Sequence, residues 1–115
     1  MMMPMIGNGD FRRFSICIIR LNPVVGSEIC KTRPCVIISP NEMNRRLRTI
    51  IIAPMTSKGF PYPSRVPIKF KNKEGLVLLD QIRTVDKQRI VDEIGELKNS
   101  EAKAVSLLLQ EMFCL

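Results

Sequence analysis

The sequence contains no histidine and no tryptophan, one tyrosine and five phenylalanines. Without histidine, the commonest general base, the usual serine and cysteine triads and most zinc sites are excluded. So few aromatics argue against a broad platform for stacking bases. No apolar run approaches the roughly 18 residues of a membrane-spanning helix. Residues 1–10 lack the basic flank and long apolar stretch of a secretory signal, so a cytoplasmic protein is expected. Cys17, Cys30, Cys35 and Cys114 give no zinc-knuckle pattern. Cys17 and Cys35 fall in apolar runs and read as small buried hydrophobes. Cys30 lies in a loop with no histidine to activate it.

What remains is an ordinary soluble composition, 45% hydrophobic and 25% charged over 115 residues, the size of one domain. Residues 13–115 are expected to form that domain and residues 1–12 a flexible tail. Charge is unevenly spread. Residues 1–75 carry 13 Lys and Arg against 4 Asp and Glu, a net of +9, while residues 76–115 carry 5 against 7, a net of −2. A basic front half favours a polyanion or an acidic protein as partner.

Short runs rich in Ile and Val predict strands over residues 14–21, 35–39 and 49–53, each buried on both faces. Residues 65–70 alternate, and Pro67 assigns them to an edge or a bulge. A turn is expected over 72–75, a strand over 76–79 that can continue towards Val85, and another over 90–97. Residues 21–34, 40–48 and 54–64 read as loops rich in Pro, Gly, Asn and Ser. Only the last segment has helical spacing. Asn99 or Ser100 can cap it, and Val105, Leu108, Leu109 and Met112 share one face. Many short strands with one helix predict a mainly β (α+β) domain, a small bent sheet or barrel.

Three polar stretches can carry chemistry. In the loop 21–34, Glu28 is the one carboxylate, with Lys31, Thr32 and Arg33 close behind. Arg33 is restricted by Pro34 and suits bidentate contact with a phosphate, or a structural salt bridge. Thr56, Ser57 and Lys58 offer hydroxyls and a cation that can hold phosphate oxygens, or serve as turn residues. In Asp80-Gln81-Ile82-Arg83-Thr84, Asp80 and Arg83 can pair, and an exposed Gln81 can read a base edge. The carboxylates before residue 75 are too scattered for a two-metal nuclease centre. RNA is the more natural substrate for phosphodiester cleavage here, because its 2′-hydroxyl is an internal nucleophile.

These stretches carry a resemblance. Leu21-Asn22-Pro23, Gly26-Ser27-Glu28, Lys31-Thr32-Arg33-Pro34 and Val36-Ile37-Ile38-Ser39-Pro40 are similar to the MazF/PemK toxins of bacterial toxin–antitoxin pairs. Ala53-Pro54-Met55-Thr56-Ser57-Lys58-Gly59 and Leu79-Asp80-Gln81-Ile82-Arg83-Thr84-Val85-Asp86 extend the match in the same order, over roughly residues 13–113. The resemblance implies a small SH3-like barrel with helices that forms homodimers. It implies cleavage of single-stranded RNA without metal or other cofactor, to 2′,3′-cyclic phosphate and 5′-hydroxyl ends. It also implies inhibition by a cognate antitoxin whose acidic tail covers the RNA groove. Arg33, Thr56 and Glu28 match positions tied to cleavage. RNA contacts are expected from Lys31, Thr32, Ser57, Lys58, Gln81 and Arg83. The first strand departs from the pattern, with Phe14-Ser15 where Gly-Asp is usual and Arg20 where an acidic residue is common. Two other readings are a CcdB-like poison of DNA gyrase, which has no need of the Arg33–Thr56 pair, and an RNA-binding module that does not cleave.

Overall fold

A computed structural model describes residues 11–21 and 31–115. Seven strands and two helices follow in the order β1 (Ser15–Leu21), β2 (Lys31–Ile37), α1 (Asn41–Arg46), β3 (Thr49–Thr56), β4 (Arg65–Phe70), β5 (Lys73–Leu78), β6 (Arg83–Asp86), β7 (Ile90–Glu96) and α2 (Asn99–Met112). The strands form one antiparallel sheet in the order β4-β5-β3-β2-β1-β7, with β6 also on β3. The path runs from edge to edge, so the described strands make a bent sheet with a helix and do not close into a barrel.

Strands β1 to β3 read as continuous hydrophobic runs because both of their faces are covered. One face sends Ile16, Val36, Ala53 and Met55 into a core shared with β4, β5 and Val105 of α2. The other sends Cys17, Ile19, Cys35, Ile37, Ile50 and Ile52 against Phe11 and Val85. Each fully buried isoleucine contributes roughly 1.5–3 kcal/mol. Burial also pushes the thiols of Cys17 and Cys35 up to about 12, as expected of cysteines acting as hydrophobes.

Several boundaries move. The loop expected over 40–48 contains α1, whose Asn44 is fully buried. Asn44 Nδ2 donates to the carbonyls of Phe11 (3.0 Å) and Ser39 (2.9 Å), and its Oδ1 accepts from Ser39 Oγ at 2.5 Å. Ser39 Oγ in turn accepts from Ile51 N at 3.0 Å. This network ties the entry segment, α1 and β3 together. Of the stretch read as a tail, residues 1–10 lie outside the described residues, while Phe11 is buried. β2 starts at Lys31 and β3 runs on to Thr56, so both take residues expected in loops. The turn after β4 is Lys71-Asn72, with φ of 52° and 64°, the paired left-handed geometry of a two-residue hairpin. Gly75 lies within β5, where a Cβ would stand 2.9 Å from the Thr56 carbonyl oxygen. Between β5 and β6 the chain makes a 3-10 turn, Leu79–Gln81, which interrupts the strand read as continuing to Val85. In α2 the N-cap is Lys98, whose N–H donates to Glu101. Met112, on the last turn, is 36% exposed rather than core.

Phe14 explains the departure noted in the first strand. Its φ is 72°, the left-handed region that glycine adopts freely and a bulky residue enters at roughly 1–2 kcal/mol. Hydrogen bonds hold it there: Phe14 N donates to Ile37 O (2.6 Å) and Phe14 O accepts from Leu97 N (3.0 Å). Its ring packs against the first core.

The β4 edge is closed. In the hairpin register the N–H positions of residues 65, 67 and 69 face away from β5. Arg65 N donates to Tyr62 O, Pro67 has no N–H, and Lys69 N donates to the Glu101 carboxylate of α2 at 2.8 Å.

Replacing Asn44 by alanine should lower stability by about 2–4 kcal/mol, since it orphans several buried polar groups. Urea unfolding should show a lower midpoint at an unchanged slope. Iodoacetamide at pH 8 should label the exposed Cys114 of the folded protein and reach Cys17 and Cys35 only after denaturation, read by peptide mass spectrometry.

Candidate active site

The site lies where β2 and β3 part. They pair from Ile37↔Ile52 to Cys35↔Pro54, and Ile38 N donates to Ile51 O at 2.9 Å. Continued in this phase, the residue due to donate to the Met55 carbonyl is Pro34, which has no N–H. The ladder stops there, and Arg33 Nη1 reaches Met55 O instead, at 3.5 Å. On its other side β3 also changes partner. Thr49–Ile52 pair with β6 and Met55-Thr56 with β5, so Pro54 falls in the gap where its own missing N–H leaves no orphan. Two prolines thus open the sheet at one place.

Arg33 and Thr56 flank that opening. Arg33 belongs to β2, opposite Ile19, and is half-buried; the sequence reading placed it in a loop. Thr56 Oγ1 accepts from Lys58 N and donates to Lys58 O, both at 3.1 Å, a local turn that fixes the hydroxyl. Arg33, Thr56 and Lys58 line two adjoining hollows. One, of about 540 Å³, is largely apolar, with Ile18, Met55, Ile68, Phe70 and Ile94 behind Ser57, Lys73 and Glu74. The other, of about 560 Å³, is a groove reaching Gln81 and Arg83, and among the described residues no carboxylate lines it. The expected residues Arg33, Thr56, Ser57, Lys58, Gln81 and Arg83 therefore converge. Thr32 is exposed on β2 and lines neither hollow. Glu28 and the side chain of Lys31 lie outside the described residues.

Asp80 does not pair with Arg83. It takes a two-pronged contact from Arg65, Nε to Oδ1 at 3.2 Å and Nη2 to Oδ2 at 3.3 Å, and a third bond from Ser64 Oγ at 3.1 Å. The Arg65 hydrogen bond, ahead of smaller effects, holds the Asp80 carboxyl below its usual range. Arg83 is left exposed, with no carboxylate partner among the described residues. The sequence reading missed Phe60 and Arg65, which line the groove beside Thr56. The available signal was Phe60-Pro61-Tyr62-Pro63, an aromatic pair stiffened by prolines next to Lys58. Among the described residues no three His, Cys, Asp or Glu side chains cluster as metal ligands, and no helix is long and apolar enough to cross a membrane.

The small antiparallel sheet thus opens at a proline and presents an arginine and a threonine above a groove lined by Lys58, Arg65 and Arg83. Residues 12–113 match the family described as PemK-like, MazF-like toxin of type II toxin–antitoxin system, and the chain belongs to that family. It is 39% identical over 101 residues to the Bacillus subtilis endoribonuclease EndoA, covering 77% of this chain and 87% of that protein. It is 36% identical over 101 residues to the endoribonuclease MazF of Staphylococcus saprophyticus, covering 83% and 84%. A crystal structure of MazE–MazF from Deinococcus radiodurans shares the fold with a TM-score of 0.78 at 23% identity, over 90% of this chain and 95% of that one.

Because the Asp80 carboxyl titrates lower in the folded state, its contribution is complete above the ordinary value of 3.8 and is lost as pH falls through the lowered one. Thermal melts should place Asp80→Asn below the unaltered protein at pH 7, and the gap should close progressively below pH ~4.

Proposed function

We propose that this chain is an endoribonuclease toxin that cuts single-stranded messenger RNA by transesterification. The 2′-oxygen bonds to the adjacent phosphorus and the bond from phosphorus to the 5′-oxygen breaks. The 2′-proton passes to a base and the departing 5′-oxygen takes up a proton. The products are a 2′,3′-cyclic phosphate and a 5′-hydroxyl. The observation that carries this reading is the half-buried Arg33 beside the fixed Thr56 hydroxyl at the mouth of a groove lined by Lys58, Arg65 and Arg83.

Each group has a task its chemistry allows. Among the described residues Arg33 makes one long hydrogen bond, and its other N–H groups can stabilise charge building on the phosphorane. Thr56 Oγ1 keeps its bond from Lys58 N while its own proton turns from Lys58 O to a phosphate oxygen. Lys58, Arg83 and Lys31 neutralise neighbouring phosphates, and the Ser57 and Thr32 hydroxyls donate hydrogen bonds to phosphate oxygens. Gln81 contacts a base edge. Glu28 accepts the 2′-proton, a task that the absence of histidine leaves to a carboxylate.

The nucleophile belongs to the substrate, so these side chains suffice without a cofactor. As in the mycobacterial endoribonuclease solved in complex with its cognate antitoxin, which shares the fold at a TM-score of 0.74 and 21% identity, an antitoxin is the expected inhibitor. Its acidic C-terminal segment would occupy the basic groove. The chain acts in the cytoplasm as a homodimer.

Purified protein incubated with a long RNA of mixed sequence in excess EDTA should give discrete cuts with 5′-hydroxyl ends. Arg33→Ala and Thr56→Val should each slow cleavage at least ~100-fold, the usual cost of losing one donor to a developing charge. Two unrelated RNAs left intact would sink the proposal and move the weight to gyrase or to binding without cleavage. So would an unchanged rate in Arg33→Ala.

A further inference from the structure

Phe60 and Tyr62 are 65% and 58% exposed, in a loop between β3 and β4 that carries two prolines. Exposed aromatics usually sit on loops free to fold back; these are held out. Arg65 Nη1 donates to the Phe60 carbonyl at 3.4 Å, and Arg65 N donates to the Tyr62 carbonyl at 2.9 Å. The same guanidinium lies 5.0 Å from the centre of the Phe60 ring and is locked on its far side by Asp80. Tyr62 stands perpendicular to Phe60 with ring centres 6.5 Å apart. One arginine thus fixes both backbone and ring, and Phe60 lines the groove with Arg33, Thr56, Lys58, Gln81 and Arg83.

We infer that Phe60 is a base-stacking residue: its ring receives one unpaired nucleobase of the strand whose phosphate lies between Arg33 and Thr56. The inference rests on the ribonuclease reading and adds to it the contact that seats the bases. A single ring is enough here, because stacking tolerates every base and needs only a flat apolar surface presented rigidly. The Arg65 guanidinium under the ring strengthens the stack by the same electrostatics that hold it in place. Arg65 and Asp80 are positioning residues in this scheme, since they act through Phe60. Rigidity matters because a loop ordered before RNA arrives does not lose that freedom on binding.

The test compares the unaltered protein, Phe60→Leu and Phe60→Trp on an RNA oligonucleotide built around a mapped cleavage site. Phe60→Leu should raise KM roughly 5- to 100-fold, the range of one lost base–aromatic stack, with kcat little changed, and Phe60→Trp should restore KM. Binding is read separately with 2-aminopurine placed at successive positions of an oligonucleotide whose scissile nucleotide is 2′-deoxy and so cannot be cut. At one position fluorescence should be quenched by the unaltered protein and by Phe60→Trp, but not by Phe60→Leu. Equal thermal midpoints establish that the exposed position leaves the fold intact. An unchanged KM and unchanged quenching in Phe60→Leu overturn the inference while leaving the nuclease reading standing, and would assign the aromatic pair to a protein contact. No cleavage by the unaltered protein overturns both.

Discussion

The missing N–H of Pro34 is the constraint on which the site depends. A β ladder between two buried strands has no reason to stop while donors and acceptors remain in phase, because each unpaired buried group costs about 1–3 kcal/mol. Here the donor due at Met55 does not exist, and the carbonyl is answered by the side chain of Arg33, one residue earlier. The same substitution that repairs the ladder brings a guanidinium to the edge of a groove. Structure and chemistry share one residue, and the cost of the break is small because the orphan is partly satisfied.

The neighbouring strand is shaped to match. β3 pairs with β2 over Ile52–Pro54 and on its other side passes from β6 to β5 around Pro54. That switch bends the strand and turns Thr56 to the opening. Gly75 then allows β5 to come against the Thr56 backbone, where any Cβ would press on its carbonyl. The turn from Thr56 to Lys58 completes the arrangement, so the hydroxyl is oriented by backbone groups rather than by flexible side chains. Preorganisation of this kind is what electrostatic stabilisation of a transient charge requires.

Local patterns revealed the parts of this molecule governed by local physics. Runs such as Ile50-Ile51-Ile52 are legible as strands because both faces are buried, and α2 is legible from its apolar stripe. α1 is only six residues, too short to stand alone, and it exists because Asn44 is buried in a network drawn from residues 11, 39 and 51. Gly75 looked like a turn residue, but the turn uses Lys71 and Asn72, and the glycine answers to a strand not yet in contact when the sequence is read locally. Arg33 and Thr56 could be named from motifs; that they lie beside each other follows only from register. The placement of Phe60, unlike its prolines, was illegible for a further reason. Its position depends on the Arg65–Asp80 pair, formed across fifteen residues, in place of the nearer Asp80–Arg83 pair that the sequence also allowed.

The sealed edge of β4 bears on how the molecule behaves in a crowd of its own copies. Open strand edges are the templates from which chains polymerise. On this side one outward N–H is used by a turn, one is deleted by Pro67 and one is claimed by a helix carboxylate. At the opposite edge β7 exposes Asp92, Glu93 and Glu96, so two copies meeting there bring like charges together. The two ends of the strand path are thus a capped border and a self-repelling one, and both disfavour growth by edge pairing. At high local concentration, copies of this chain therefore meet little encouragement to add strand to strand at either end of the sheet.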